Sequence, residues 1–132
     1  MQFCDLLLLL FGELTKKHPD LIFWKHFDRG ISGLGDIDAI APNYEVDKIS
    51  ADFIRLVFEY FSDAKGVVEC RFPINVRPHF IVFESKYPEL FHFDISWQPL
   101  RLMFPWCNAD TLTKFSIVNA NGIRILSPGA LS

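Results

Sequence analysis

The first part of the chain carries apolar side chains at helical spacing, with polar side chains between them. This pattern runs from Phe3 to Leu14 and predicts an amphipathic helix. Two lysines and a histidine follow, where cations suit the negative end of a helix dipole, and Pro19 then ends the segment. The chain is therefore predicted to open with a helix that buries one face.

A second helical pattern begins after Pro42, with Asn43 as a candidate N-terminal cap. Apolar residues recur there at intervals of three and four, and acids and bases occupy the opposite face. We expect this helix to run to about Lys65, with a break near Ser50.

The other ordered segments are short, aromatic or β-branched, and separated by glycine or proline, which is typical of strands. The segment 91–97 alternates cleanly, with Phe93 and Ile95 on one side and His92 and Asp94 on the other. Strands are predicted at 21–27, 36–40, 67–72, 80–84, 91–97 and 123–126, a short helix around 109–115, and a turn at Asn121 and Gly122 before the last strand.

Length and composition favour a single packed domain. The chain has 132 residues, half of them hydrophobic, including 14 phenylalanines. A chain of this size buries about two-thirds of its unfolded surface in one core. We therefore expect one domain, 1–132, of the α+β (mixed α/β) class, with a twisted mixed sheet of about five strands and helices mainly on one face.

Charge and hydropathy exclude several function classes. The net charge of −3 comes from interspersed acids and bases, which argues against an extended surface for duplex nucleic acid. The apolar run 6–11 is too short to span a bilayer, for which about 20 residues are needed, and no secretory signal pattern accompanies it. A cytoplasmic protein without a membrane anchor is predicted. The three cysteines have no paired spacing and are interpreted as small buried hydrophobes.

The strongest chemical signal is the run GLGDIDAI, which places Asp36 and Asp38 one residue apart at the start of an apolar strand. On an extended backbone both carboxylates project from the same face. Two anions so close favour a hard divalent cation between them, such as Mg²⁺, which is often shared with substrate phosphates. Gly30, Gly33 and Gly35 precede the pair, and glycine lets the backbone bend and approach a ligand closely.

The glycine turn, the paired acids, the helix that follows and an acid on a later strand together resemble the nucleotidyltransferase superfamily, whose palm is shared with DNA polymerase beta. The likeness lies within 21–97, and WKHFDRGISGLGDIDAIAP, CRF, FHFDIS and GIRILSPGA are also similar to a small, poorly characterised prokaryotic group of that kind. By this resemblance Asp36 and Asp38 are the metal-binding pair, and Asp94 is the third metal-binding and catalytic acid.

The resemblance also implies a ligand and a reaction. The turn residues Gly30, Ser32, Gly33 and Gly35 match the family's nucleotide-binding turn, although here they are compressed against the first acid. The implied cofactor is Mg²⁺ or Mn²⁺, the implied ligand is a nucleoside triphosphate, and the implied reaction moves a nucleoside monophosphate to an acceptor hydroxyl. The alternative is a non-catalytic nucleotide-binding or protein-interaction module that retains the palm.

Several other polar residues near the paired acids and the glycine turn allow two interpretations. Lys25, Arg29 and Arg71 are candidates to contact a triphosphate, and ordinary surface ion pairs are at least as well supported for each. His92 is interpreted as a polar residue on a strand face, because a transition-metal site needs three or four ligands and no second histidine spacing accompanies it.

Members of the family commonly add a helical substrate domain, for which this sequence leaves little room. We therefore expect a homodimer or a separate partner protein. Leu8 and Leu9 extend the apolar stripe of the first helix, which makes that helix the predicted contact surface.

Overall fold

A computed structural model of the chain describes residues 3–24, 27–31, 37–61, 64–72, 77–84, 90–96 and 114–126. Helices and strands alternate in its first half, and strands dominate its second half, which confirms the α+β class. The elements are α1 (Phe3–Lys17), β1 (Ile22–Trp24), α2 (Phe27–Ile31), β2 (Ile37–Ile40), a 3₁₀ turn (Asn43–Glu45), α3 (Val46–Tyr60), β3 (Ala64–Phe72), β4 (Arg77–Glu84), β5 (Leu90–Ser96), β6 (Ser116–Val118) and β7 (Arg124–Leu126).

The strands of the described residues form one mixed sheet in the order β3-β4-β5-β2-β1-β7-β6. The pairs β2–β5 and β1–β7 are parallel, and the other four pairs are antiparallel. The sheet has seven strands where about five were predicted. Six of the seven correspond to segments predicted as strands, and the remaining one is β6, which is only three residues long and therefore too short to show a periodic pattern.

A single large core joins α1 and α3 to one face of the sheet. Phe11 of α1 contacts Phe23 of β1 and Phe93 of β5, with ring centroids 4.9 and 5.0 Å apart. Phe53 of α3 lies 4.7 Å from Phe93, measured between ring centroids. All four rings are essentially inaccessible to solvent. Aromatic pairs at these separations add to the free energy of burial, and here they fix both helices against the centre of the sheet.

The opposite face of the sheet carries a second, smaller apolar cluster of buried side chains. Its members alternate along β1 and β2 with residues of the main core, as the pleat of a strand requires. The cluster consists of Ile22, Trp24, Ile40 and Leu126.

The first helix is confirmed, whereas the second differs from its prediction in three details. Helix α3 is continuous through Ser50, whose hydroxyl donates a hydrogen bond to the Val46 carbonyl oxygen 2.8 Å away. It ends at Tyr60 and not near Lys65, because β3 begins four residues after Tyr60. The predicted cap is also wrong: Asn43 starts the 3₁₀ turn, the N-cap position is held by Glu45, and the Glu45 side chain makes no capping hydrogen bond.

The segment around the predicted glycine turn folds differently from expectation. The first strand ends at Trp24, and Phe27 begins helix α2, which includes Gly30. The Phe27 ring lies 5.0 Å from that of Phe23, measured between centroids, so Phe27 packs against the core from a helix. The aromatic residues that predicted a strand through residue 27 therefore reflect packing against the core and not a strand conformation. Residues 109–113 of the predicted short helix lie outside the described residues, and 114–115 form a turn.

A tight hairpin joins β6 to β7 at the predicted turn. The Asn119 side-chain carbonyl accepts hydrogen bonds from the backbone N–H groups of Asn121 and Ile123, at 2.9 and 3.1 Å. Gly122 has φ of 76°, a conformation that other residues adopt only with strain. The hairpin packs against α1 at Gly12, where an added Cβ would lie 2.8 Å from the Asn121 carbonyl oxygen.

Candidate metal and nucleotide site

Asp38 lies in the middle of β2, on the sheet face opposite the main core. Its neighbours Ile37 and Ala39 are buried in that core, and strand alternation places Asp38 on the other face. The residue is half-buried. A carboxylate at this position is partly shielded from bulk water but still accessible to a small ligand.

The third predicted acid is the direct neighbour of Asp38 in the sheet. Strands β2 and β5 are parallel, and their register pairs Asp38 with Asp94. Phe93 and Ile95 are fully buried in the main core, so alternation assigns position 94 to the same face as Asp38. Backbones of neighbouring strands are about 4.8 Å apart, a separation over which two carboxylates can share one metal ion. The strand pairing thus brings together two acids that are 56 residues apart.

The structure places the remaining predicted site residues less completely. Asp36, Ser32, Gly33 and Gly35 lie outside the described residues. Gly30 lies in the short helix α2 and not in an extended turn, and Arg29 belongs to the same helix. Lys25 also lies outside the described residues, and the backbone of Arg71 belongs to β3. The predicted phosphate-binding turn therefore stays a prediction, except at its first residue. That residue, Gly30, belongs to a helix and not to a turn.

Two histidines that the sequence did not assign to the site share its location in the sheet. The antiparallel register of β4 and β5 pairs His79 with Asp94. Strand β5 lies between β4, which carries His79, and β2, which carries Asp38. His92 precedes Asp94 by two positions on β5, which puts both on one strand face. The alternation of 91–97 had indicated the face of His92. No sequence signal links His79 to Asp94, because strand partners 15 residues apart depend on hairpin register.

An apolar border limits the candidate site on one side. Trp24 of β1 is the registered neighbour of Asp38, and it belongs to the buried second cluster together with Ile22 and Ile40. Electrostatic interactions of Asp38 are less screened there than in bulk water, since the apolar groups lower the local dielectric constant. A cation beside Asp38 is correspondingly more strongly attracted.

A second group of acids and a histidine serves a structural purpose. His18, buried at the end of α1, lies with Nδ1 3.0 Å from Glu45 Oε2 and Nε2 2.7 Å from Asp52 Oδ2. Each ring nitrogen of His18 thus lies within hydrogen-bonding distance of a carboxylate oxygen from a different residue. Burial raises the pKa of Asp52, but the hydrogen bonds and charges of His18 and Arg55 outweigh it and hold that pKa below its ordinary value. The group ties the end of α1 to the start and first turns of α3.

Among the side chains that the structure describes, no three His, Cys, Asp or Glu groups could together hold a metal ion. That set includes Asp38 but not the side chains of Asp94, His79 or His92. The candidate site is therefore defined by strand register.

A shallow groove of about 400 Å³ lies on the helical side of the molecule, between α1, the end of α3 and the β6–β7 hairpin. It combines apolar, acidic and basic side chains, and burial together with the nearby Glu13 and Glu59 raises the pKa of Tyr60 at its edge. None of the predicted site residues contributes to it. The residues lining the groove are Leu9, Gly12, Glu13, Lys16, Tyr60, Asn121 and Gly122.

Comparisons of the chain with protein-family models, with curated proteins and with solved structures give no match. Membership of the nucleotidyltransferase superfamily accordingly stays a prediction from the sequence motifs. No helix in the described part of the chain is long and apolar enough to cross a membrane.

Proposed function

We propose that this chain is a metal-dependent nucleotidyltransferase, with Asp36, Asp38 and Asp94 as its metal-binding acids. The observation that carries the proposal is the parallel register of Asp38 and Asp94 on adjacent strands. An Asp-x-Asp pair alone is a weak motif. Its second acid now has, as its strand neighbour, the acid that the resemblance named independently.

The architecture supports the same function. Helices α1 and α3 pack with Phe23, Ala39 and Phe93 on one face of the sheet, and strand alternation places Asp38 on the opposite face. We propose that this arrangement is a nucleotidyltransferase-like palm, a twisted mixed sheet with helices mainly on one face.

The proposed chemistry follows from the charges. Asp36, Asp38 and Asp94 would hold Mg²⁺ or Mn²⁺, which would supply positive charge to the phosphates of a nucleoside triphosphate and to the leaving pyrophosphate. Asp94 assists removal of the proton from the acceptor hydroxyl. Ser32 and the glycines of the following turn contribute backbone N–H groups to the phosphates.

Calorimetry with a nucleoside triphosphate tests the proposal directly. Binding is expected with Mg²⁺ or Mn²⁺ and is expected to disappear in EDTA, because without a cation the acids repel the phosphates. Asp36→Asn and Asp38→Asn should each abolish metal-dependent binding and leave the far-ultraviolet circular dichroism unchanged. Asp5→Asn is the matched control, since Asp5 is an exposed acid on α1.

Two results would refute the metal-bridged mechanism. One is equal nucleotide affinity with and without EDTA. The other is loss of binding in Asp5→Asn to the same extent as in Asp38→Asn, because that would make overall charge and not the site responsible.

An interaction module is the second candidate, and exposed apolar side chains favour it. Leu9 on α1 is 47% exposed, whereas Leu8 packs partly against the core. At the edge of the sheet, Phe115, Ile117 and Val118 are each about half exposed. Exposed apolar patches at the edge of a sheet are typical contact surfaces between proteins.

Light scattering at micromolar concentration tests self-association through these surfaces. If α1 forms the contact of a homodimer, Leu9→Lys lowers the measured mass to that of a monomer, while Ile117→Lys does so if the strand edge forms it. Ala51→Lys adds the same charge at an exposed position of α3 and is the control. A wild-type monomer at all concentrations excludes the homodimer and leaves a separate partner protein.

A further inference from the structure

Asp94 occupies the central position of a row of polar residues that crosses the sheet. Its register partners are Asp38 on β2 and His79 on β4. Registered residues of neighbouring strands lie on the same sheet face in both parallel and antiparallel pairs. Three potential metal ligands therefore stand side by side on three consecutive strands.

A fourth potential ligand lies along the strand and not across it. His92 precedes Asp94 by two residues in β5, so the two share a face and their Cα atoms are about 7 Å apart. Position 94 thus has a histidine before it on its own strand, a histidine on one neighbouring strand and an acid on the other.

We propose that this face binds a transition-metal ion where the strand register juxtaposes His79, His92, Asp38 and Asp94. Imidazole nitrogen is a ligand of Zn²⁺, Mn²⁺, Fe²⁺ and Co²⁺, whereas Mg²⁺ selects oxygen ligands and water. Two nitrogen and two oxygen donors form a set that the acids alone do not provide. The inference deepens the proposed function, on which it rests through the shared Asp38 and Asp94, by naming the class of the metal.

The spacing of the sheet suits such a site. With strands about 4.8 Å apart, Cα atoms of Asp38 and His79 are separated by about 10 Å, with position 94 midway between them. These positions, together with that of His92, therefore fall within an area of the face about 10 Å across. Cys70, the registered partner of His79 on β3, is one strand further from Asp38 and is not included in the ligand set.

The core on the other face supports this arrangement. Phe93, adjacent to the central acid, is fixed between Phe11 and Phe53. A strand whose inner side chain is locked in a packed core cannot change register without exposing that side chain. The ligand positions on β2 and β5 are therefore set before any metal binds, which lowers the entropic cost of binding.

Titration of the metal-free protein with Co²⁺, Zn²⁺ and Mg²⁺, in the absence of nucleotide, tests the proposal. Co²⁺ should give visible d–d absorption bands, which report nitrogen and oxygen coordination, and calorimetry should show Zn²⁺ binding at least about tenfold more tightly than Mg²⁺. His79→Gln and His92→Gln should each weaken Zn²⁺ binding about tenfold or more and alter the Co²⁺ spectrum.

Two control variants belong in the same titration. His26→Gln removes a histidine outside the proposed ligand set and should leave both readouts unchanged. Cys70→Ser should likewise leave them unchanged, since a thiolate ligand would give the Co²⁺ complex an additional charge-transfer band. Circular dichroism of every variant establishes that it is folded before the affinities are compared.

The outcomes separate this inference from the proposed function. Mg²⁺-dependent nucleotide binding without Zn²⁺ or Co²⁺ binding overturns the transition-metal site and leaves the proposed function standing. Zn²⁺ binding that depends on His79, without any nucleotide binding, supports the site and removes the nucleotidyltransferase. Zn²⁺ binding that is lost equally in His26→Gln overturns the ligand set.

Discussion

Replacing Gly12 with alanine tests how closely α1 and the β6–β7 hairpin approach each other. Glycine inside a helix costs about 1 kcal/mol relative to alanine, so helix propensity alone predicts that Gly12→Ala is stabilising. The structure predicts the opposite sign. The new Cβ would lie 2.8 Å from the Asn121 carbonyl oxygen, and that atom belongs to the backbone of a tight turn.

The expected net effect follows from the two opposing terms. Overpacking that forces backbone to shift costs about 1–3 kcal/mol, and the gain in propensity returns about 1 kcal/mol. We therefore expect Gly12→Ala to lower the free energy of unfolding by about 1 kcal/mol. For a chain of this length that corresponds to a fall in Tm of about 4 °C.

Urea unfolding followed by circular dichroism measures the change, with Gly122→Ala for comparison. A Cβ on Gly122 meets no atom within 4 Å, but its φ of 76° strains an alanine by about 1 kcal/mol. The two variants thus lose similar stability for different reasons, one steric and one conformational. A stabilised Gly12→Ala would show that the hairpin moves freely away from α1 and would refute the close approach.

Two further predictions concern buried polar groups. Thr15 Oγ1 is buried without a hydrogen-bond partner in the described part of the chain. Thr15→Val should therefore raise the free energy of unfolding, measured by urea titration, by about 1 kcal/mol. A decrease would imply that the hydroxyl has a partner. The pKa of Asp52 is lowered in the folded state, so its contribution to stability is present above the pKa of the unfolded chain and is lost as the pH falls through the folded value. Asp52→Asn should therefore reduce the fall in Tm that occurs below about pH 4, whereas Asp5→Asn should not. The same dependence of Tm on pH in wild type and Asp52→Asn would contradict the role of His18.

The sequence predicted well those features that depend on local periodicity. Helix α1 and the alternation of β5 were both read from repeating patterns, and the buried Phe93 and Ile95 confirm the core side of that strand. The turn at Asn121 and Gly122 was predicted because few residues accept a positive φ. In each case one short stretch of chain contains all the information needed.

Features that depend on competition between distant segments were not predicted. Phe27 belongs to a helix because its ring packs on Phe23, although its aromatic neighbours favour a strand. The end of α3 is set by the start of β3, and no helix-stop residue marks it. Local composition gives the preference of a segment, and tertiary packing then overrides it.

The candidate site shows the same division between local and distant information. Asp38 and Asp94 could each be proposed from their own surroundings in the sequence, but their adjacency and the presence of His79 beside them arise only from strand order and register. That register is held from the opposite face, because a slip of one residue in β5 would exchange the buried Phe93 for Asp94. Placing an aspartate in a core of phenylalanine rings would leave a carboxylate without solvent or partner, at a cost of several kcal/mol. The apolar alternation of β5 thus fixes which residues stand beside Asp38, and the chemistry available on that face is a consequence of how the core packs.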